Sequence, residues 1–122
     1  MIGASTTALM GLGLQGELAD IMGADYALIV GVGTTQAGAK AIIGDNAELS
    51  AASSQTDFVL PITQAIMEAV FAVNPSGTTA RVWCPVGHTL NNVANANLSI
   101  ATNKAAIFWQ YKPKFWASLL TN

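Results

Sequence analysis

The sequence contains few charged residues. Asp, Glu, Lys and Arg make up 10% of its 122 residues, whereas 52% are hydrophobic. Typical globular domains are roughly 25% charged. Five basic residues are too few for a nucleic-acid-binding surface, so we expect no nucleic-acid partner. A domain of this length buries only about two-thirds of its unfolded surface, so the apolar excess predicts self-association.

Cysteine and histidine are each present once, as Cys84 and His88. A lone cysteine excludes a disulfide within the chain. Two ligands four positions apart are too few for a zinc site, and His88 is the only imidazole that could activate a nucleophile. We expect Cys84 to pack as a small hydrophobic residue and His88 to form a hydrogen bond in a loop. The sequence therefore predicts no catalytic residue, metal or cofactor.

Long apolar runs and a charged leader are also lacking. No window approaches the roughly 20 apolar residues of a spanning helix, so we expect no membrane partner. Residues 1–14 carry no positive charge, which is unlike a secretory signal. These features indicate synthesis in the cytoplasm.

The N-terminal region differs in composition from the rest of the chain. Residues 1–13 mix Gly, Ala, Ser and Thr without a period, which predicts a flexible arm. Four apolar residues then recur at the spacing of one face of a helix, with acidic residues on the other side. Gly23 is placed to end this short amphipathic helix. The apolar residues are Leu14, Leu18, Ile21 and Met22, and the acidic ones are Glu17 and Asp20. We divide the chain into this unit, residues 1–23, and a β domain, residues 24–122.

The β domain shows short β-branched and aromatic runs separated by Asn, Gly, Pro and Ser. About eight strands are predicted, at 26–30, 39–43, 58–60, 68–73, 79–84, 98–101, 105–111 and 116–120. Their spacing predicts a compact β-sandwich, barrel or jelly-roll. The turn Asn74-Pro75-Ser76-Gly77 predicts a hairpin between 69–73 and 78–84. Pro61 is also compatible with the start of a helix, but we favour an irregular loop through Met67.

Two features of the sequence weakly resemble functional sites, one a dinucleotide-binding motif and the other a set of catalytic carboxylates. Gly31-Val32-Gly33 follows a strand, as in dinucleotide-binding proteins, but Gln36 stands where that motif needs a third small residue. The carboxylates of Asp45, Glu48 and Asp57 could pair for acid–base catalysis, yet their Ser- and Ala-rich surroundings predict exposed loops. Neither feature supports an enzyme.

Aromatic residues are concentrated in the C-terminal strands. Strand alternation places Ile107, Trp109 and Tyr111 on one side and Phe108 and Gln110 on the other. We expect core packing by Phe108 and Trp116. Residues at a subunit interface are predicted to be Trp83, Trp109, Tyr111 and Phe115. Stacking of these rings on carbohydrate is the alternative interpretation.

An ordered series of short motifs resembles a family of small β proteins encoded beside the head genes of tailed bacteriophages, the decoration, cement or head-fibre class. The motifs are Gly33-Thr34-Thr35-Gln36-Ala37, Val59-Leu60-Pro61, Ala72-Val73-Asn74, Val82-Trp83-Cys84-Pro85-Val86-Gly87, Leu90-Asn91, Ala94-Asn95, Ala105-Ala106-Ile107-Phe108 and Trp116. Segment 62–67 is bulkier than in that family, which makes it a candidate for a subunit or capsid contact.

The resemblance implies a homotrimer on the outer surface of a virion capsid, bound to the major capsid protein and stabilising the shell. Apolar residues of the arm are then candidates for capsid binding, namely Ile2, Leu9, Met10, Leu12 and Leu14. The alternative is a fibre or tail-tip module that binds a host receptor or glycan.

Overall fold

The computed structural model describes residues 26–62 and 65–121. The predicted N-terminal arm and helix, residues 1–23, lie outside these residues. Within them the chain forms strands and turns and no helix, so the prediction of a mainly β protein is confirmed. Beyond Met67 the chain enters a strand at Ala69, as the favoured loop interpretation expects.

Eleven strands are present in the described residues. They are β1 (Tyr26–Val30), β2 (Lys40–Ala41), β3 (Asn46–Ser50), β4 (Asp57–Val59), β5 (Ala69–Asn74), β6 (Ala80–Trp83), β7 (Thr89–Leu90), β8 (Val93–Ala94), β9 (Asn97–Ile100), β10 (Lys104–Lys112) and β11 (Phe115–Leu120). They form a seven-stranded sheet in the order β1-β3-β5-β10-β11-β7-β8 and a four-stranded sheet in the order β2-β4-β6-β9.

The first six strands form three stacked coils. Each coil contributes one strand to the seven-stranded sheet and the next strand to the four-stranded sheet. In both sheets, strands from successive coils pair in parallel: β1 with β3, β3 with β5, β2 with β4, and β4 with β6. This is solenoid-like stacking, which corrects the predicted sandwich, barrel or jelly-roll. The physical reason is that each coil's two strands pair with the corresponding strands of the next coil, so the coils stack on one another.

The predicted hairpin of 69–73 with 78–84 is wrong, because β5 and β6 belong to different sheets. Asn74 is buried between them and its amide donates to the carbonyl oxygens of Thr78, at 2.9 Å, and Ile100, at 2.8 Å. The backbone N–H of Ser76 donates back to the Asn74 side chain at 3.1 Å. The Asn-Pro-Ser-Gly segment therefore forms a corner that carries the chain from one sheet to the other.

The core lies between the two sheets and repeats from coil to coil. The register of β2, β4 and β6 continues into Ile42, Leu60 and Cys84, which are all almost completely buried. Ile29 and Leu49 form an equivalent buried pair in β1 and β3. Inward side chains recur at every second strand position because successive residues of a strand point to opposite faces, and most of them are apolar.

Antiparallel strands follow the three coils. β9 pairs with β6, and β10 pairs with both β5 and β11. Phe108 and Trp116 are fully buried, as expected, and β10 alternates as the sequence predicts. None of the described residues forms a helix long and apolar enough to span a membrane.

Candidate functional site

Three of the four residues predicted at a subunit interface lie together on the seven-stranded sheet. Trp109 and Tyr111 alternate with buried residues along β10, and Phe115 begins β11 beside them. The rings of Tyr111 and Phe115 are 6.2 Å apart between centroids, and the Lys112 ammonium lies 4.2 Å from the centre of the Phe115 ring. We call Trp109, Tyr111 and Phe115 the aromatic cluster. Tyr111 is the most exposed of the three.

Trp83, the fourth predicted interface residue, lies in the four-stranded sheet at the end of β6. Its indole N–H donates to Asp57 Oδ2 at 2.7 Å, and the Arg81 guanidinium lies 5.9 Å from its ring. The structure therefore places Trp83 in an intramolecular polar network, away from the other three aromatic residues.

Asp57 is at the centre of that network. Its carboxylate is completely buried in β4 and accepts hydrogen bonds from Arg81 Nε at 2.9 Å and Nη2 at 3.0 Å, and from the Thr56 hydroxyl at 2.7 Å. Arg81 Nη2 also donates to the carbonyl oxygen of Thr34, at 2.7 Å, which ties the loop after β1 to β6. The prediction of an exposed loop at Asp57 is wrong, because Asp57 and Arg81 occupy paired positions of adjacent parallel strands.

Burial by itself raises the pKa of Asp57. Hydrogen bonds from Thr56, Trp83 and Arg81, together with the Arg81 charge, outweigh burial and hold the pKa below its usual value. A carboxylate that is ionised and saturated with donors is a poor proton carrier near neutral pH. Its chemistry fits a structural ion pair rather than a general acid or base.

The Gly31-Val32-Gly33 motif has a structural explanation. A Cβ atom at Gly31 would collide with the carbonyl oxygen of Gln55, so only glycine fits between the first and second coils. Gly33 has a φ of 63°, and its N–H donates to Gln55 Oε1 at 2.8 Å. The motif therefore forms the corner at which the first coil packs closely against Gln55 of the second coil.

Cys84 and His88 take the predicted roles. Cys84 is buried, and its thiol donates to the carbonyl oxygen of His88 at 3.5 Å. Trp116 Nε1–H donates to His88 Nδ1 at 3.0 Å, which requires an unprotonated Nδ1. Burial, and secondarily the charge of Lys114, lower the pKa of His88. In residues 26–62 and 65–121, no group of three His, Cys, Asp or Glu side chains could hold a metal ion.

An apolar groove lies on the outer face of the seven-stranded sheet, next to the aromatic cluster. It has a volume of about 380 Å³. Outward residues of β5, β10 and β11 line it, and Asn46 and Thr121 lie at its margins. The apolar lining side chains are Phe71, Val73, Ala105, Ile107, Leu119 and Leu120.

A second apolar surface runs along the corner that follows the four-stranded sheet. Ile43, 63% exposed, directly follows the buried Ile42, whereas Ile62, at 68%, and Val86, at 66%, each stand two positions after a buried residue, Leu60 and Cys84. We call these three residues the corner ridge. Met67, which is 66% exposed, belongs to the same bulky loop as Ile62.

Sequence reasoning selected segment 62–67 but missed the groove and the ridge as surfaces. The signal for the ridge was an exposed aliphatic residue one or two positions after each of the buried residues Ile42, Leu60 and Cys84, which can be recognised only when the coils are aligned. The capsid-binding candidates Ile2, Leu9, Met10, Leu12 and Leu14 lie outside the described residues.

No protein-family model matches this chain, and comparison with curated proteins gives no match. The functional argument therefore depends on the surfaces and the buried networks described above.

Proposed function

We propose that this protein is a structural virion protein, a trimeric decoration or cement protein that binds the outer surface of a bacteriophage capsid and stabilises it. The observation that carries the proposal is the corner ridge, in which each of three successive coils exposes an aliphatic side chain just after its strand of the four-stranded sheet. A surface of this kind gains free energy when it is covered, at roughly 25 cal/mol per Å² of apolar area.

The polar chemistry of the described residues is consistent with a structural role. Asp57 is tied to Arg81 and Trp83, and His88 is tied to Trp116. These interactions hold the coils and the antiparallel strands in a fixed arrangement. A stiff body suits a protein that must bridge several shell subunits, because little conformational entropy is lost on attachment.

In this proposal the aromatic cluster holds the three subunits together. Tyr111 is 38% exposed, and large rings contribute strongly to interfaces when a neighbouring subunit desolvates them. The N-terminal arm residues Ile2, Leu9, Met10, Leu12 and Leu14 supply a second capsid contact besides the ridge. Three linked copies would then bind with avidity.

The test is co-sedimentation of the purified protein with undecorated phage heads, after light scattering has established the oligomeric state. We expect trimers that bind heads at saturation and raise the temperature at which the heads release DNA. The variant Ile62→Glu/Val86→Glu should remain trimeric and lose most binding, because two charges would have to be desolvated in the contact.

A matched control is Val30→Glu, since Val30 is also exposed, at 57%, but lies in β1 away from both the ridge and the aromatic cluster. It should bind as the parent does. A parent protein that is a monomer, or that never sediments with heads, would show that the decoration proposal is wrong.

One observation favours the alternative of a fibre or tail-tip module that binds a host glycan. The Tyr111 hydroxyl donates to Asn92 Oδ1 at 3.3 Å, so an exposed ring lies beside an amide, as sugar recognition requires. A glycan array probed with the parent and with Tyr111→Ala would test this function. Binding that disappears in the variant would support it.

A further inference from the structure

We propose that the outer groove binds β1 of a second copy of this chain, through the side chains of Tyr26 and Leu28. The inference rests on the self-association of the proposed function and deepens it, since it names the two surfaces that meet between neighbouring subunits. It does not depend on binding to a capsid, and its test uses the protein alone.

Strand β1 supplies an apolar surface that is separate from the groove. Tyr26, Leu28 and Val30 alternate with inward residues along β1, and each is about half exposed. The outward residues of β3 are polar and lie between β1 and the groove. One face of the seven-stranded sheet therefore carries two apolar surfaces, and a polar strip separates them.

The groove has space for an aliphatic side chain. Ala105 is small and lies beside Val73, its partner in β5. Larger side chains, Phe71 and Ile107, form the adjacent outward pair. No charged residue lines the groove. An apolar side chain such as Leu28 would therefore fill the space over Ala105 without desolvating a charge.

The few charged residues of the seven-stranded sheet favour contact between unlike sides of two copies. Its strands contain three, of which Glu48 lies in β3 and Lys104 and Lys112 lie in β10. Glu48 accepts a hydrogen bond from the Tyr26 hydroxyl at 2.7 Å, so the acidic group belongs to the β1 side. Contact between the β1 side of one copy and the β10 side of the next brings opposite charges together, whereas contact between like sides would oppose like charges.

Two different surfaces that bind each other generate a ring when the rotation closes. Both surfaces lie on the same face of one sheet, three strand spacings or roughly 14 Å apart, so each copy can touch two neighbours by turning that face toward a common axis. With the axis parallel to the strands, every residue keeps its level.

Strand register then decides which residues meet. Leu28 of one copy is level with Ala105 of the next, through the paired positions of β3 and β5. Tyr26 is level with Ile107 in the same way. Val30 is paired with Ser50, which does not line the groove, so Val30 projects past the end of the groove. The contact is therefore made by Tyr26 and Leu28.

The experiment is disulfide trapping between copies of the full chain. The variant Leu28→Cys/Ala105→Cys is incubated with oxidised glutathione and analysed on non-reducing gels and by mass spectrometry. Within one chain the two positions are roughly 14 Å apart, too far for a disulfide, so any bond between them joins two chains. We expect covalent trimers, in which each copy is bonded to both neighbours.

The matched control is Val30→Cys/Ala105→Cys, which should form covalent trimers at least about tenfold more slowly, because the two Cα atoms would lie beyond bonding range. Equal rates for both pairs would mean unspecific collisions and would overturn the proposal. The single variant Leu28→Cys should form no disulfide with itself. A bond between two copies of that variant would show that β1 meets β1, which would also overturn the proposal.

A second pair, Tyr26→Cys/Leu119→Cys, repeats the measurement if the first variant folds poorly, since these positions are also level. A trimeric parent that neither pair traps would overturn the inference and leave the decoration proposal standing. Trapped trimers that never sediment with heads would support the inference while the decoration proposal fails. A monomeric parent would overturn both.

Discussion

The three parallel coils and the antiparallel strands that follow them are stabilised differently. The coils use short strands and, apart from the buried ring of Phe58, small or aliphatic core residues such as Ile42, Leu49 and Cys84. The antiparallel part has the nine-residue strand β10 and buries the rings of Phe108 and Trp116. Repetition and corner contacts hold the first region, whereas two large side chains dominate the second.

This difference affects how strongly a mutation in each region should lower the stability of the protein. A repeated ladder spreads its stabilisation over many modest contacts between neighbouring coils. Its specific constraints are the tight corner at Gly31 and the buried Asp57 carboxylate. In the antiparallel region a single truncation removes a large share of the core.

The largest effect is expected from truncating a ring. Phe108→Ala or Trp116→Ala should lower the free energy of unfolding by about 3–5 kcal/mol, because each ring is fully buried and leaves a cavity. Ile42→Val in the coil ladder should cost only about 1 kcal/mol. Urea unfolding of the three variants measures the contrast. A ring truncation that costs no more than Ile42→Val, which removes a single methylene group, would show that the ring is not a major part of the core.

The buried carboxylate should give the next largest effect. Asp57→Asn should cost about 1.5–3 kcal/mol at neutral pH, since donors from Arg81, Trp83 and Thr56 lose a charged acceptor. Urea midpoints of parent and variant at pH 7 provide the measurement.

The stability difference between the parent and Asp57→Asn should also depend on pH. The pKa of Asp57 is lower in the folded than in the unfolded protein, so its stabilisation is complete above about pH 4 and is lost as the pH falls through the folded value. The stability difference between parent and Asp57→Asn should therefore shrink below about pH 4. A constant difference down to pH 2 would contradict the proposed ion pair.

The corner between the first and second coils should tolerate no side chain at Gly31. Gly31→Ala should cost about 1–3 kcal/mol, because the new Cβ would collide with the carbonyl oxygen of Gln55. Gly77→Ala is the matched control, since no atom lies within 4 Å of a Cβ at that position. Thermal melting of the pair measures the difference, and similar melting temperatures would mean that the corner can relax.

The smallest effect should come from His88. Its pKa is lower in the folded than in the unfolded protein, so stability is complete above about pH 6.5 and decreases as the pH falls below it. Protonation would also remove the acceptor for Trp116 Nε1–H. His88→Gln keeps an acceptor and should lose this pH dependence. Urea midpoints at pH 8 and 5.5 test the prediction, and an unchanged parent midpoint would contradict it.

Local patterns in the sequence were sufficient to predict the strands and the side-chain orientation in much of the antiparallel region. The β10 and β11 strands follow each other through a short turn, and alternation placed Phe108 inward and Trp109 outward. The packing of Cys84 and the hydrogen bond of His88 in a loop also followed from their scarcity and from the turn residues between them. Strand β3 escaped detection because its outward residues are polar, Asn46, Glu48 and Ser50.

Only the tertiary structure decided how the coils pair. The turn at Asn74 to Gly77 looks like a hairpin turn, yet the Asn74 amide bonds to Thr78 and Ile100 and directs the chain into the other sheet. Parallel pairing joins residues far apart in sequence, such as Asp57 and Arg81, and no local pattern marks those pairs. For the same reason, the sequence by itself determined that aromatic and aliphatic side chains remain on the surface, whereas the stacking of the coils determined their arrangement as a groove and a ridge.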